Sequence, residues 1–376
     1  MTQTIDQTRT SSFPSHSYRA AQLAFAAGGR SDHEPAAAET QPLGGQTSEP
    51  RHVSHSISDR AVGCFKGIAT GDAIGKQTEN LSRQDVLRWY PQGISGFEGT
   101  PDTAIPRYAH NSKRVWRIGE TTDDTERTLA VARAIIRDRH VAHVSVGQEL
   151  LNCTKCVHPG IRSLWEFHQA GDPARTAVMH DGCGAAVRVA PVGIVYRPAH
   201  LHQLVNGARE ASISTHGGSL AIAAAAATAA AVSAAIEGAS SREVWEFAEQ
   251  AAMQAEAYWS SGIGPSLSNA IRGVHDDLAS LPDLHADAVA TCCFPNTPLT
   301  IVPLALGLAT VMQSAADAIL LAANVGGDSD SVASIAGGIL GAIYPTTVHP
   351  DWFEVVERVN GHNLAAVAQE LMELRH

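Results

Sequence analysis

Residues 324–345, NVGGDSDSVASIAGGILGAIYP, decide the architecture more than any other stretch. Glycines and serines surround Asp328 and Asp330 at its head, and an almost wholly apolar run of small residues follows. The run reads as a buried helix over 329–344. Two carboxylates two residues apart repel, and burial makes their ionisation costlier unless a counter-ion stands close. Either the pair lies on a solvated turn, or a cation sits between the acids.

Working outward, further helices are predicted over 143–151, 160–170, 184–195, 218–237, 241–259, 264–276, 300–322 and 351–372. A first helix begins near Ser58, where a capping Ser or Asp precedes Ala61, Val62, Phe65, Ile68 and Ala69 at helical spacing. TTDDTERTLAVARAIIRDR, from Thr121, is a well-marked helix with threonine at its start, acids in the first turn and bases in the last. Alternating Val, Ile and aromatic runs are missing, so the expectation is an all-α chain. Leu220–Ile236, LAIAAAAATAAAVSAAI, imitates a membrane span. It is alanine-dominated and short for a bilayer, so it is read as the central helix of a helical bundle.

Composition narrows the function classes. The chain has 376 residues, 44% hydrophobic and 17% charged, with a formal net charge of −11 and no Lys/Arg-rich run. A nucleic-acid binder would show a basic patch, so no nucleic-acid partner is expected, and no membrane partner either. Six cysteines are too sparse for a disulfide framework in a chain of this length, and the N-terminus lacks the layout of a secretory signal, so a cytoplasmic location is expected. Residues 1–57, rich in Ser, Thr, Pro, Gly, Gln and His, read as a disordered tail dispensable for catalysis, and 58–376 as one domain. CTKCVH, from Cys153, hints at half a zinc site but has no matching second pair.

Five segments carry chemistry. TTDDTE presents Thr122, Asp123 and Asp124 from one helix start, and GGDSDS presents Asp328, Asp330 and Ser331 from another. Hard divalent cations take carboxylate and hydroxyl oxygens, and each trio offers both. The bland reading of each is an acid-rich helix cap. GDAIGKQTE ends the first helix and carries Glu79 on a segment able to move, or simply a solvated loop acid. HDGCGAAVRVAP is a glycine-rich turn running into a helix, with Arg188 one turn in; such a turn offers amides to a phosphate, or is only a turn. STHGG opens the alanine helix with His216. Trp245, Phe247, Tyr258 and Trp259 recur at helical intervals and read as core packing, with stacking of Tyr258 or Trp259 on an adenine as the alternative.

In order and spacing these five segments resemble the ADP-ribosylglycohydrolase family over about 58–345. The resemblance implies a single compact, orthogonal helical domain with a central dinuclear metal cleft. Its activity would be magnesium-dependent hydrolysis of the glycosidic bond between ADP-ribose and an acceptor. Two Mg2+ ions, or Mn2+, would be held by Thr122, Asp123, Asp124, Asp328, Asp330 and Ser331, the serine replacing a commoner threonine. Glu79 is similar to a glutamate beside the metals, and Glu79, Asp123 and Asp124 are the implied catalytic groups. Asp181, Gly182, Cys183, Gly184 and His216 match the substrate loop and its neighbour, with His180 or Asp181 at the position before it; Cys183 replaces a frequent asparagine. The implied partner is an ADP-ribose-containing substrate, such as an ADP-ribosylated protein. A hydrolase of small ribosyl metabolites, or a non-catalytic ADP-ribose binder or structural relative, are the alternatives.

Overall fold

The computed structural model describes residues 55–110, 114–155, 180–260, 262 and 264–376. The tail expected before residue 55, the helix expected over 160–170, and Cys156 and His158 of the half zinc motif lie outside these residues. Fifteen α-helices are present among the described residues. They are α1 (Ile57–Gly75), α2 (Arg83–Trp89), α3 (Asp123–Asp138), α4 (His143–Leu150) and α5 (Ala190–Val195). Next come α6 (Leu201–Ser212), α7 (Ser219–Ile236), α8 (Ser241–Trp259), α9 (Leu267–Ser280) and α10 (Ala286–Cys292). The chain closes with α11 (Pro298–Val311), α12 (Ala315–Val325), α13 (Ser329–Ile343), α14 (Pro350–Asn360) and α15 (Leu364–Met372). No strand occurs among the described residues; extended pairing is limited to two isolated bridges, Leu81 with Gly327 and Ala104 with Arg117. The all-α expectation holds.

Small side chains let the central helices approach closely. α7 is 89% buried, with α5, α6 and α8 packed around it, so the alanine run is a core helix here. α1 and α13 form the tightest pair and run antiparallel. Gly63, Gly67, Gly71 and Gly75 of α1, one turn apart, face Gly341, Gly337, Ala333 and Ser329–Asp330 of α13 in succession. A β-carbon at any of the four would come within 3.0 Å of facing backbone atoms. Only glycine permits that approach. It brings the C-terminal end of α1, with its GDAIG segment, against the acidic start of α13.

Several expected boundaries move. The helix expected over 300–322 is two helices, because the chain turns extended at Met312 and Ser314 caps α12 by accepting the Asp317 amide. The one expected over 351–372 breaks at Gly361 and Asn363, both at positive φ (68° and 53°). The glycine turn does not run into a helix over 184–195; a 3-10 turn at Cys183–Ala185 precedes the short α5. α2, α6 and α10 were not expected.

Candidate functional site

The start of α3 is assembled from distant parts of the chain. Asp72 of α1, fully buried, accepts the Thr122 amide through both oxygens (3.0 and 2.9 Å) and the Thr125 amide and hydroxyl (3.1 and 2.5 Å). It therefore caps a helix some fifty residues further on. Burial raises its pKa, and the bonds from Thr125 and Thr122 oppose that shift. One residue earlier, Thr121 is held by Asn360 Oδ1 on its amide (3.1 Å), His362 Nε2 at its hydroxyl (3.0 Å) and the Lys155 ammonium on its carbonyl (2.6 Å). Thr122 itself is the N-cap, its hydroxyl accepting the Asp124 amide at 3.1 Å.

Backbone packing places the start of α13. Gly326 and Gly327, both at positive φ (85° and 67°), turn the chain. Gly327 accepts the Asn80 amide (2.6 Å) and donates its own to Leu81 (2.8 Å). The Asp328 amide reaches Pro295 O (2.8 Å), and the Ser329 hydroxyl donates to Gly75 O (2.9 Å). The segment bearing Glu79 is thus pinned, where the sequence suggested one able to move. Thr78 donates to Ala323 O (2.7 Å), and Arg107 reaches the carbonyls of Gln77 (2.9 Å) and Glu79 (2.5 Å).

These elements meet in a cleft of about 470 Å³, within the range of about 300–1,000 Å³ common to small-molecule sites. Glu79, Asp123, Asp124, Asp328, Asp330 and Ser331 line one side. The glycine loop from Asp181 to Gly184, with His180 and His216, lines the other. Of the residues that the family resemblance assigned to metal, catalysis or substrate, Thr122 alone is not on the lining; it is buried.

The acids are packed against one another. Ser331 Oγ donates to Asp124 Oδ2 at 3.1 Å, and Cys183 Sγ lies 3.4 Å from Asp328 Oδ2. Burial, then the charges of Asp123, Asp72 and Asp328, pushes Asp124 well above the usual carboxylate range, with Arg127 pulling it back. Burial and Glu79 do the same to Asp330, with Lys76 opposing. The Cys183 thiol is pushed up by burial and by Asp328 and Asp124. Two bases answer this charge. Arg127 pairs with Asp123 at 2.9 Å; Lys76 contacts Glu79 and stands 3.5 Å from Asp330 Oδ2.

Oxygen donors dominate the acidic side, and that chemistry suits Mg2+ or Mn2+. Asp123, Asp124, Asp328, Asp330 and Ser331 would be the holding groups. Among the described residues no three His, Cys, Asp or Glu side chains stand in ligating geometry. Asp123 is turned to Arg127 and Asp330 toward Lys76 instead.

On the opposite wall, Asp181 Oδ1 accepts the Leu220 and Ala221 amides (3.0 and 3.3 Å), so this carboxylate caps α7 as well as facing the cleft. His216 backs onto the loop: a β-carbon at Gly182 or Gly184 would meet its ring at 3.2 or 3.0 Å. Its Nδ1 is 2.7 Å from Thr215 Oγ1, which also receives Arg188. Arg188 is buried and donates to Thr215 and to the carbonyls of Ala211 and Ser212, and reaches the Gly184 carbonyl of the loop at 3.3 Å. Tyr258 and Trp259 pair edge-on outside it.

Sequence reading missed Asp72's reach, Lys76, Arg127 and Tyr108, whose hydroxyl donates to Glu79 at 3.0 Å. Arg127 had a visible signal, its i,i+4 spacing from Asp123.

Over most of its length the chain is similar to known proteins. The family model described as ADP-ribosylglycohydrolase matches residues 53–376. An uncharacterized protein of Archaeoglobus fulgidus is 27% identical over 293 residues, spanning 76% of this chain and 88% of that protein. ADP-ribosylarginine hydrolase Tri1 of Pseudomonas putida is 26% identical over 325 residues, 84% of this chain and 78% of its own. A solved structure described as an ADP-ribosylglycohydrolase-related protein complex superposes with a TM-score of 0.63 at 23% identity, covering 85% of this chain and 99% of that one, and so shares the fold.

Proposed function

Since this chain belongs to the ADP-ribosylglycohydrolase family of glycosidic-bond hydrolases, we propose that it cleaves the bond between the anomeric carbon of ADP-ribose and an acceptor, with Mg2+ or Mn2+ as cofactor. One observation carries the reading. Two acid-bearing helix starts and Glu79 converge on one wall of a cleft whose other wall is a glycine loop backed by histidine.

Chemistry divides between the walls. Departure of the acceptor from C1 of the ribose develops oxocarbenium character, which the carboxylates of Asp123, Asp124 and Asp328 stabilise. A divalent cation held there by Asp123, Asp124, Asp328, Asp330 and Ser331 would supply Lewis-acid charge for the ribose hydroxyls and for water. Glu79, oriented by Lys76 and Tyr108, exchanges the proton with the attacking water or the leaving atom. His216, His180 and Arg127, with the glycine backbone, receive the phosphates at the far end, where a side chain at Gly182 or Gly184 would collide with His216. Cys183, in the middle of the loop, carries its thiol to within 3.4 Å of Asp328 Oδ2.

A panel of ADP-ribosyl-arginine, ADP-ribosyl-serine and simple nucleosides, incubated with and without magnesium, tests this. The expected result is release of ADP-ribose from at least one of the first two, abolished by chelation. Magnesium should raise the melting temperature of the wild type and not that of an Asp123→Asn/Asp328→Asn variant. Turnover of nucleosides alone would move the substrate class to small ribosides. ADP-ribose binding without turnover of any compound would refute hydrolysis.

A further inference from the structure

Lys76 follows GDAIG directly and reads as an ordinary turn lysine, yet only 5% of it is exposed. Its ammonium contacts Glu79 and lies 3.5 Å from Asp330 Oδ2. Trp116 covers it, with the ring centre 4.5 Å from Nζ, and Tyr108 stands at 5.9 Å. Both aromatics belong to a small buried cluster with Ile105 and Ile118, so a rigid wall confines the ammonium to the acids. Arg107, stacked on Tyr108 with its guanidinium 4.0 Å from the ring centre, ties the Lys76 carbonyl to the same wall at 3.2 Å.

Charge balance makes this position consequential. Leaving aside Asp181, which caps α7, five carboxylates face the cleft: Glu79, Asp123, Asp124, Asp328 and Asp330. Against them stand Arg127 and Lys76. One divalent cation leaves this cluster one charge negative, and two leave it one charge positive. A second cation between Glu79 and Asp330 would also have to share both carboxylates with an ammonium that has no room to withdraw. Around Asp124, Asp328 and Ser331 no lysine intrudes among the described residues, and the Ser331 hydroxyl already meets Asp124 at 3.1 Å.

We propose that the cleft takes one divalent cation, on the Asp124–Asp328–Ser331 side, and that the Lys76 ammonium permanently fills the place of a second on Glu79 and Asp330. Lys76 is then a positioning residue: it fixes Glu79 and supplies charge without water of coordination. The proposal rests on the metal-dependent reading above. It differs from that reading in the number of ions.

Counting manganese separates the two. Equilibrium dialysis of the full chain should give one Mn2+ per wild-type molecule, with the electron paramagnetic resonance spectrum of an isolated ion. Lys76→Met should bind two, with the broadened spectrum of a coupled pair. Two ions on the wild type overturn the proposal and leave the metal-dependent reading intact; no bound manganese overturns both. One ion on a folded Lys76→Met also overturns it, because the lysine would then not be what excludes the second. Should that variant fail to fold, the wild-type count and spectrum decide alone.

Discussion

The two acidic helix starts face the same cleft but are held by opposite means. The start of α3 is suspended by side chains: Asp72 from α1, Asn360 and His362 from the α14–α15 corner, and Lys155. The start of α13 is clamped by backbone against backbone, with Gly75 under Ser329 and Asp330 and the Gly326–Gly327 turn against Leu81 and Pro295. Like-charged groups can be kept together by bonding the chain around them or by leaving it no room to part. This molecule uses one method on each side.

Changes at the seam between the two regions should have the largest effect. Glu79 lies beside the α13 acids and faces those of α3, and Glu79→Gln should lower turnover by roughly a hundred- to ten-thousand-fold while fold and magnesium-induced stabilisation persist. Near-wild-type turnover would pass the proton transfer to another group.

Next come the supports. Asp72→Ala strands the amides of Thr122 and Thr125 and the Thr125 hydroxyl; at about 1–3 kcal/mol per buried orphan, a loss of about 3 kcal/mol or more is expected in urea denaturation. Gly71→Ala, forcing a methyl into the Ala333 backbone, should cost about 1–3 kcal/mol. Hydrogen exchange sharpens the contrast. Asp72→Ala should expose amides at 122–125 and spare those of α13, and Gly71→Ala should do the reverse. If both spread over both helices, the two starts form one cooperative unit and the comparison fails.

The smallest effect concerns pH. Burial, reinforced by Lys155, pulls the His362 imidazole down to about 4. In the unfolded chain it protonates near pH 6.5. The unfolded state therefore binds the extra proton first. Stability from this group is intact above about pH 6.5 and is lost as pH falls toward 4. His362→Gln should flatten that part of the stability profile, and an unchanged slope there would place the cause elsewhere.

Periodicity and caps made α3, α7, α8 and α13 legible, because their apolar residues recur in register and Thr122 and Ser240 announce two of the starts. It failed where punctuation misleads. α6 holds Leu204, Val205, Ala208 and Ala211 inside, but Gly207 interrupts the pattern. The break after Val311 falls between two apolar helices and looks like continuous core. At the site, the acids were readable since their chemistry is local to each motif. Asp72's partners, the confinement of Lys76 and the burial of Arg188 were not, because each depends on a contact that only the folded chain creates.

The glycine column of α1 makes the helix a lever. Gly63 and Gly75 are twelve residues apart, about 18 Å along the axis. Widening the gap at Gly63, at the end far from any substrate, would tilt α1 about its remaining contacts and swing Asp72, Lys76 and Glu79 together at the other. Variants that damage catalysis should therefore be found along this column at depths no ligand reaches. Efforts to re-engineer the cleft for another acceptor inherit the same constraint, because its dimensions are gauged by the thickness of a peptide backbone.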